Sequence, residues 1–138
     1  MKSIFILDAC ALIAYFNDEK GADVVFECMQ GLNDGSVMLI MHKINLLEVY
    51  YDFYKRLGNI QADEMLINVT TSGILIVDNI TDVVLTTAGR LKSTYKISLG
   101  DAVFLAQSFA SGAAALTCDH HEFDPVSLTE PINFKWIR

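Results

Sequence analysis

The chain has 138 residues, with 10 Lys and Arg against 17 Asp and Glu, and a formal net charge of −7 at pH 7. A chain of this length buries roughly 68% of its unfolded surface, and we expect a single domain over residues 1–138. Because 52% of the residues are hydrophobic and 20% are charged, the composition excludes intrinsic disorder. The negative charge argues against a protein that holds nucleic acid by bulk charge, although carboxylates around a bound cation can still present a positive site.

Cysteine usage and the apolar runs bear on the compartment. Cys10, Cys28 and Cys118 are odd in number and lack C-x-x-C spacing, so we expect buried thiols in a reducing cytosol. The apolar run Ser3–Leu7 imitates a signal peptide, but Asp8 interrupts it after five residues. No stretch approaches the roughly 20 apolar residues of a membrane helix. These features predict a cytoplasmic protein without a membrane anchor.

Short apolar runs alternate along the chain with segments of helical periodicity. We predict buried strands at residues 4–7, 37–40, 74–77 and 113–117, and an edge strand at 132–134. Helices are predicted from Cys10, over 20–30 with Gly31 closing it, over 42–56 and 59–70, from Thr81, and from Ser98 to near Gly112. Pro125 and Pro131 should bracket a loop. The alternation predicts a three-layer α/β/α sandwich with a central, mostly parallel sheet of about five strands.

Four carboxylates fall where such a sheet binds ligands. Asp8 ends the first strand, Asp119 comes two residues after the fourth, and Asp101 lies in the first turn of a helix. Right-handed crossovers bring the carboxyl ends of the strands, and the helix starts that follow them, to one edge of the sheet. Asn45 and Glu48 share a polar stripe on a helix that is otherwise apolar and therefore expected to be largely buried. A buried Glu48 needs a partner.

Carboxylates gathered at one edge repel one another, and some would protonate at neutral pH. Mg²⁺ or Mn²⁺ relieves this repulsion with oxygen ligands, whereas Zn²⁺ prefers His or Cys. One or two such ions activate water and hold a phosphodiester for in-line attack. Each residue also has a structural alternative: Asp8 and Asp119 as helix caps, Asp101 in a capping box, and Glu48 as the partner of a tyrosine hydroxyl. These alternatives do not explain why the four positions converge.

Four segments resemble the PIN-domain family, especially the small single-domain ribonuclease toxins of bacterial toxin–antitoxin pairs (VapC-like). They are Leu7-Asp8, Asn45-Leu46-Leu47-Glu48-Val49, Ser98-Leu99-Gly100-Asp101-Ala102 and Thr117-Cys118-Asp119-His120-His121-Glu122-Phe123. The resemblance implies a five-stranded parallel sheet between helices, an acidic pocket for Mg²⁺ or Mn²⁺, and hydrolysis of RNA phosphodiester bonds. It assigns the catalytic and metal-binding positions to Asp8, Glu48, Asp101 and Asp119. The supporting positions are Thr117, Asn45 and Glu122.

Three histidines depart from the family pattern. His42 stands where Ser or Thr is common, and His120-His121 follow Asp119 where a basic or small residue is more frequent. Cys118, His120 and His121 also suggest a zinc site, but adjacent residues rarely point at one metal. We expect exposed histidines without a ligand role.

The leading hypothesis is a metal-dependent endoribonuclease that leaves 5′-phosphate and 3′-hydroxyl ends. The resemblance further implies a homodimer and a small antitoxin that inserts a basic side chain into the acidic pocket. Apolar residues on two predicted helices could line a groove in which the antitoxin binds, although such stripes are more often core. These residues are Val24, Val25, Met29, Met65, Leu66 and Val69. The alternative is a non-catalytic PIN-like interaction module whose acidic pocket binds a basic partner segment. The intact set of four carboxylates favours the enzyme.

Overall fold

The structure is a computed structural model that describes residues 2–138. Its strands are β1 (Ser3–Leu7), β2 (Val37–His42), β3 (Leu75–Val77), β4 (Ala114–Thr117) and β5 (Phe134–Trp136). Its helices are α1 (Ala9–Phe16), α2 (Ala22–Asp34), α3 (Lys43–Leu57), α4 (Asn59–Thr70), α5 (Asp82–Thr94), α6 (Leu99–Ser111) and α7 (His120–Ser127). The predicted alternation of strands and helices is confirmed.

The five strands form one parallel sheet in the order β3-β2-β1-β4-β5. The chain moves outward from β1 to β3 on one side and then continues with β4 and β5 on the other. The strand order therefore reverses between β1 and β4, where Leu7 pairs with Leu116. Asp8 and Asp119 follow these two strands, so both lie at the crevice where open parallel sheets bind ligands.

Helices cover both faces of the sheet and enclose two apolar cores. Helices α1 to α4 pack on one face around Leu7 and Leu116. Helices α5, α6 and α7 pack on the other face around Ile6 and Ala115. Successive strand residues thus enter opposite cores, as expected for central strands of a parallel sheet, and the predicted three-layer sandwich is confirmed. None of the helices in the described chain combines the length and the apolar character that crossing a membrane requires.

Three predicted element boundaries are wrong. Helix α2 continues through Gly31 and ends at Asp34, and the C-cap Gly35 takes a left-handed conformation with φ of 83°. Gly31 lies against the Val37 side chain, which leaves no room for a Cβ, so glycine is needed there for packing rather than for termination. Pro125 lies inside α7 rather than in a loop, at the loss of one backbone hydrogen bond. Strand β5 begins two residues later than predicted.

Helix α3 is half exposed, so the prediction of a largely buried helix is wrong. Its buried residues form one stripe: Asn45, Leu46, Val49 and Phe53. Leu47, Tyr51 and Tyr54 form a second stripe and are 57%, 57% and 53% exposed. We call these three residues the open apolar stripe. Apolar composition predicted burial here, but it could not indicate that only one side of the helix is covered.

The two stripes predicted to line a groove are mainly core. Val25, Met65 and Val69 are buried between the sheet and its helices. The other three residues of the prediction are partly buried and pack against the same core. The burial of these residues favours the commoner interpretation of such stripes as core.

Cys10 and Cys118 form a disulfide, so the prediction of free thiols is wrong for these two residues. Cys28 is free and buried, as predicted. The disulfide joins the first turn of α1 to the segment after β4, across 108 positions of sequence and a Cα–Cα distance of 6.2 Å. Sequence spacing gives no sign of it, because the pairing of β1 with β4 is what brings the two cysteines together. The bond links the segments that carry Asp8 and Asp119.

Candidate active site

Asp8 is buried at the end of β1, with 3% of its surface exposed. It caps α1, since Oδ1 accepts a hydrogen bond from the Ala11 N–H at 2.8 Å, and Oδ2 accepts one from the Thr117 hydroxyl. Burial raises the pKa of Asp8 to about 7, the two hydrogen bonds lower it, and the charges of Asp101 and Asp119 raise it further. The capping role is therefore real, and the carboxylate also belongs to a group of like charges.

Asp101 is influenced by more carboxylates than Asp8 is. Burial raises the pKa of Asp101 to about 6, a hydrogen bond with Ser98 lowers it, and the charges of Asp119, Glu48 and Glu122 raise it further. The Asp101 N–H also donates to the Ser98 hydroxyl at 3.1 Å, which caps α6. The predicted acidic positions are thus brought within electrostatic reach of one another. We call Asp8, Glu48, Asp101, Asp119 and Glu122 the acidic cluster.

Glu48 enters the cluster from α3, where Asn45 holds it. The Asn45 amide nitrogen donates to Glu48 Oε1 at 2.8 Å and to the Gly100 carbonyl at 3.1 Å. The partner of Glu48 is thus an amide and not the tyrosine of the structural alternative. Burial raises the pKa of Glu48, and the hydrogen bond from Asn45 opposes this effect. Asn45 is itself fully buried, and its Oδ1 has no hydrogen-bond partner.

Gly100 allows α6 to approach Glu48 closely. A Cβ at this position would lie 2.7 to 2.8 Å from the atoms of the Glu48 carboxylate. Any other residue would therefore displace either the carboxylate or the helix. Sequence analysis included Gly100 in a motif without assigning it a role, because the contact joins residues 52 positions apart.

Thr117 connects the two strand ends that flank the crevice. Its hydroxyl donates to Asp8 and accepts from the Asp119 N–H at 3.2 Å. Asp119 caps α7, since its Oδ1 accepts from the Glu122 N–H at 3.1 Å. Glu122, in the first turn of α7, adds its charge to the environment of Asp101. Thr117 and Glu122, the two supporting residues predicted in this segment, thus lie at the acidic cluster.

His42 performs the capping role that a Ser or Thr would have at its position. Its Nδ1 accepts from the Ile44 N–H at 3.1 Å at the start of α3. The proton of the ring then lies on Nε2, which donates to the Asn79 carbonyl at 3.0 Å. The departure from the family pattern therefore preserves the helix start that positions Asn45 and Glu48.

The zinc alternative finds no support in the geometry. Cys118 is committed to its disulfide. His120 and His121 lie exposed in the first turn of α7, and the His120 ring stacks on Trp136 at 3.8 Å between ring centroids. Sequence reasoning missed this stack, because the two residues belong to different elements. Over residues 2–138, no three His, Cys, Asp or Glu side chains converge into a ready-made metal cage.

The donor set nevertheless suits Mg²⁺ or Mn²⁺. All the candidate ligands are oxygen atoms, and Mg²⁺ usually keeps several waters while it binds one or two carboxylates and the phosphates of a substrate. An open cluster of carboxylates fits this preference better than a closed cage does. Burial, and after it the neighbouring carboxylates, raise the pKa values of Asp8 and Asp101, and a bound cation would stabilise their charged forms. The unpartnered Asn45 Oδ1 adds one more free oxygen beside Glu48.

Comparison with known proteins identifies the family. The family model of the PIN domain matches residues 5–127, so the chain belongs to the PIN-domain family. Comparison with curated proteins gives no match.

Solved structures share the fold at low sequence identity. A chain of DNA-bound VapBC from Salmonella typhimurium superposes with a TM-score of 0.73 at 14% identity, covering 100% of both chains. A chain of VapBC2 from Rickettsia felis, bound to a promoter DNA fragment, gives 0.72 at 17% identity, with 96% of this chain and 97% of that one covered. VapC20 from Mycobacterium tuberculosis, a toxin that cleaves the sarcin–ricin loop, gives 0.68 at 15%, with 90% and 95% covered.

Proposed function

We propose that the protein is a divalent-metal-dependent endoribonuclease and the toxin of a toxin–antitoxin pair. The observation that carries the proposal is the acidic cluster at the crevice between β1 and β4. Burial is the main cause of the raised pKa values of Asp8 and Asp101, and the neighbouring carboxylates raise them further. Assembling like charges is unfavourable, so such a cluster is expected where a cation binds.

In this proposal Asp8, Glu48, Asp101 and Asp119 hold Mg²⁺ or Mn²⁺. An ion held by these residues would lower the pKa of a bound water and offset the charge of the phosphate. The water oxygen forms a bond to phosphorus, the bond to the 3′-oxygen breaks, and the products carry 5′-phosphate and 3′-hydroxyl ends. Thr117 orients Asp8, and Asn45 orients Glu48, through the hydrogen bonds described above. Fixing the carboxylates in this way reduces the reorganisation that binding requires.

Two observations support RNA hydrolysis over a purely binding role. The VapC20 structure of the same fold belongs to a toxin that cleaves the sarcin–ricin loop. A non-catalytic module that accepts a basic side chain would need one or two carboxylates, whereas this cluster contains five. Thr117 orients Asp8, and Asn45 orients Glu48. The set of oriented carboxylates therefore favours catalysis.

The purified protein is expected to cleave structured RNA in the presence of Mn²⁺ and to be inactive in EDTA. The products should accept end labelling only after removal of a 5′-phosphate. Denaturing gels of labelled RNA, with Mn²⁺ restored after chelation, measure the effect. Intact RNA under all these conditions, together with binding of a basic peptide to the acidic cluster, would support the interaction module instead.

The partner in this proposal is a small antitoxin with an apolar helix and a basic side chain. Two of the similar structures are VapBC bound to DNA, and a toxin–antitoxin complex from Klebsiella pneumoniae also shares the fold. The open apolar stripe of α3 is exposed on the same helix that carries Glu48. Beside it a shallow hollow between α3 and α4 is lined by Lys43, Leu46, Leu47, Tyr50 and Leu66. An apolar helix seated there could place a basic residue against the acidic cluster, and the net charge of −7 favours such a partner.

Coexpression with the product of the adjacent gene is expected to yield a stable complex. Leu47→Asp should abolish copurification, because it places a charge in the open apolar stripe. Leu128→Asp, at a residue that is 88% exposed beyond α7, is the matched control and should leave the complex intact. Equal recovery with both variants would place the partner elsewhere. Normal growth of cells that express the chain alone would contradict the toxin assignment.

A further inference from the structure

Three aromatic rings form a continuous stack beside the acidic cluster. Phe134 and Trp136 lie on the same face of β5, with ring centroids 5.1 Å apart and planes 8° from parallel. The His120 ring continues the stack over Trp136, at 3.8 Å and 18°. His120 is the most exposed of the three residues.

The His120 ring is fixed in its plane by both nitrogen atoms. Nδ1 lies 2.9 Å from the Asp124 carboxylate, and Nε2 lies 2.8 Å from the Arg138 carbonyl oxygen. Trp136 covers one face of the ring, yet 46% of the side chain is exposed. With one face against Trp136, the opposite face is the part of the ring on which a further planar group would stack, and we call it the open face.

This open face lies at the border of the acidic cluster. His120 follows Asp119 directly, and Trp136 pairs in register with Thr117, whose hydroxyl binds Asp8. A planar group on His120 would therefore lie next to whatever the carboxylates hold. In a polynucleotide, the planar group next to a phosphate is a nucleobase.

We propose that the open face of His120 stacks on a nucleobase of the RNA adjacent to the cleaved phosphodiester. This inference rests on the proposed ribonuclease function and names a substrate contact of that site. A chain with a net charge of −7 has little bulk attraction for a phosphate backbone, so stacking is a source of affinity that its charge does not oppose. Aromatic stacking accepts every base, because each base has a π-face.

The bonding of the ring defines what kind of contact it makes. Both nitrogens are occupied by Asp124 and Arg138, so His120 has no free donor or acceptor with which to read a base edge. The stack should therefore contribute to substrate binding without selecting a sequence and without transferring protons. Its loss should raise KM and leave kcat nearly unchanged.

Two substitutions separate stacking from a structural role of His120. His120→Phe keeps a planar ring over Trp136 and loses both hydrogen bonds, whereas His120→Gln keeps a polar side chain and loses the ring. His121→Gln is the matched control at the neighbouring exposed histidine. The measurements are kcat and KM for a mixed-sequence single-stranded RNA with Mn²⁺, and anisotropy of the labelled RNA with each variant in an Asp8→Asn background.

We expect His120→Gln to raise KM and Kd by about 5- to 150-fold, which is the range that alanine substitution gives for one stacked base. His120→Phe should remain within about threefold of the parent, and His121→Gln should match it. Two results would contradict the stacking contact in a parent that cleaves RNA. One is a His120→Gln variant with the KM of the parent, and the other is a His120→Phe variant whose KM and Kd rise as much as those of His120→Gln. If the parent neither binds nor cleaves RNA with Mn²⁺, the proposed function itself fails and the stacking contact fails with it.

Discussion

Asp8→Asn is expected to reduce RNA cleavage by at least about a hundredfold while the protein stays folded. Asparagine retains an oxygen that can accept the Ala11 N–H, so the cap of α1 is preserved. The substitution removes one negative charge from the proposed metal site. Replacing even a partner of a metal ligand typically costs 10- to 100-fold, so loss of a ligand should cost more. Cleavage rates at fixed Mn²⁺, compared with those of the parent, measure the effect.

The same substitution should stabilise the metal-free protein, and more so at high pH. The pKa of Asp8 is about 7 in the folded state, against an ordinary value of 3.8. The folded state therefore binds this proton more tightly, and stability falls as pH rises from about 4 to about 7. Asp101, with a pKa of about 6, acts in the same direction. Thermal melts in EDTA should show a Tm advantage of the variant over the parent that grows from pH 5 to pH 8.

Two further variants serve as companions to Asp8→Asn. Asp101→Asn should also abolish cleavage, and because burial and the neighbouring carboxylates raise the pKa of Asp101, loss of its charge should not destabilise the metal-free protein at pH 8. Asp52→Asn removes a carboxylate that pairs with Arg56 on the exposed side of α3, and it should cleave RNA normally. Added Mn²⁺ should raise the Tm of the parent more than that of Asp8→Asn. Parent-like cleavage by both Asp8→Asn and Asp101→Asn would show that the carboxylate mechanism is wrong.

Loss of the Cys10–Cys118 disulfide is expected to lower the free energy of unfolding by about 4–5 kcal/mol. The bond closes a loop of 108 positions, and the chain-entropy model assigns a loop of this length about 4.7 kcal/mol. Urea unfolding of the oxidised parent and of Cys10→Ser/Cys118→Ser measures the difference. Reductant should bring the parent to the midpoint of the double variant and leave the variant unchanged. Equal midpoints for the parent with and without reductant would contradict the expected stabilisation.

Local rules predicted the fold well because each element carries its own signal. The strands β1 and β2 are continuous apolar runs, and the side chains of Thr81 and Ser98 cap α5 and α6 as their positions indicated. The same rules predicted that the acidic residues would meet, since each follows a strand or begins a helix on one edge of a parallel sheet. Glu48 needed the additional observation of a polar stripe on an apolar helix.

The features that sequence analysis missed all join distant parts of the chain. The disulfide, the contact of Gly100 with Glu48 and the stack of His120 on Trp136 depend on which elements become neighbours. No periodicity or spacing encodes these neighbours directly. The exposure of α3 is of the same kind, because a hydrophobic pattern identifies an apolar face but not what covers it. From the sequence, helix capping and a place in the acidic cluster are alternatives for Asp8 and Asp119. In the structure both residues cap helices and also belong to the acidic cluster.

The reversal of strand order between β1 and β4 has a consequence during synthesis on the ribosome. Asp8 leaves the ribosome 109 residues before its hydrogen-bond partner Thr117, and its neighbour Asp119 follows Thr117. Because β4 must enter the sheet beside β1, a nascent chain can fold β1, β2 and β3 without assembling the acidic cluster. The cluster forms only after β4 and the start of α7 have left the exit tunnel. A ribosome that translates this domain therefore carries its first three strands before it faces an assembled site.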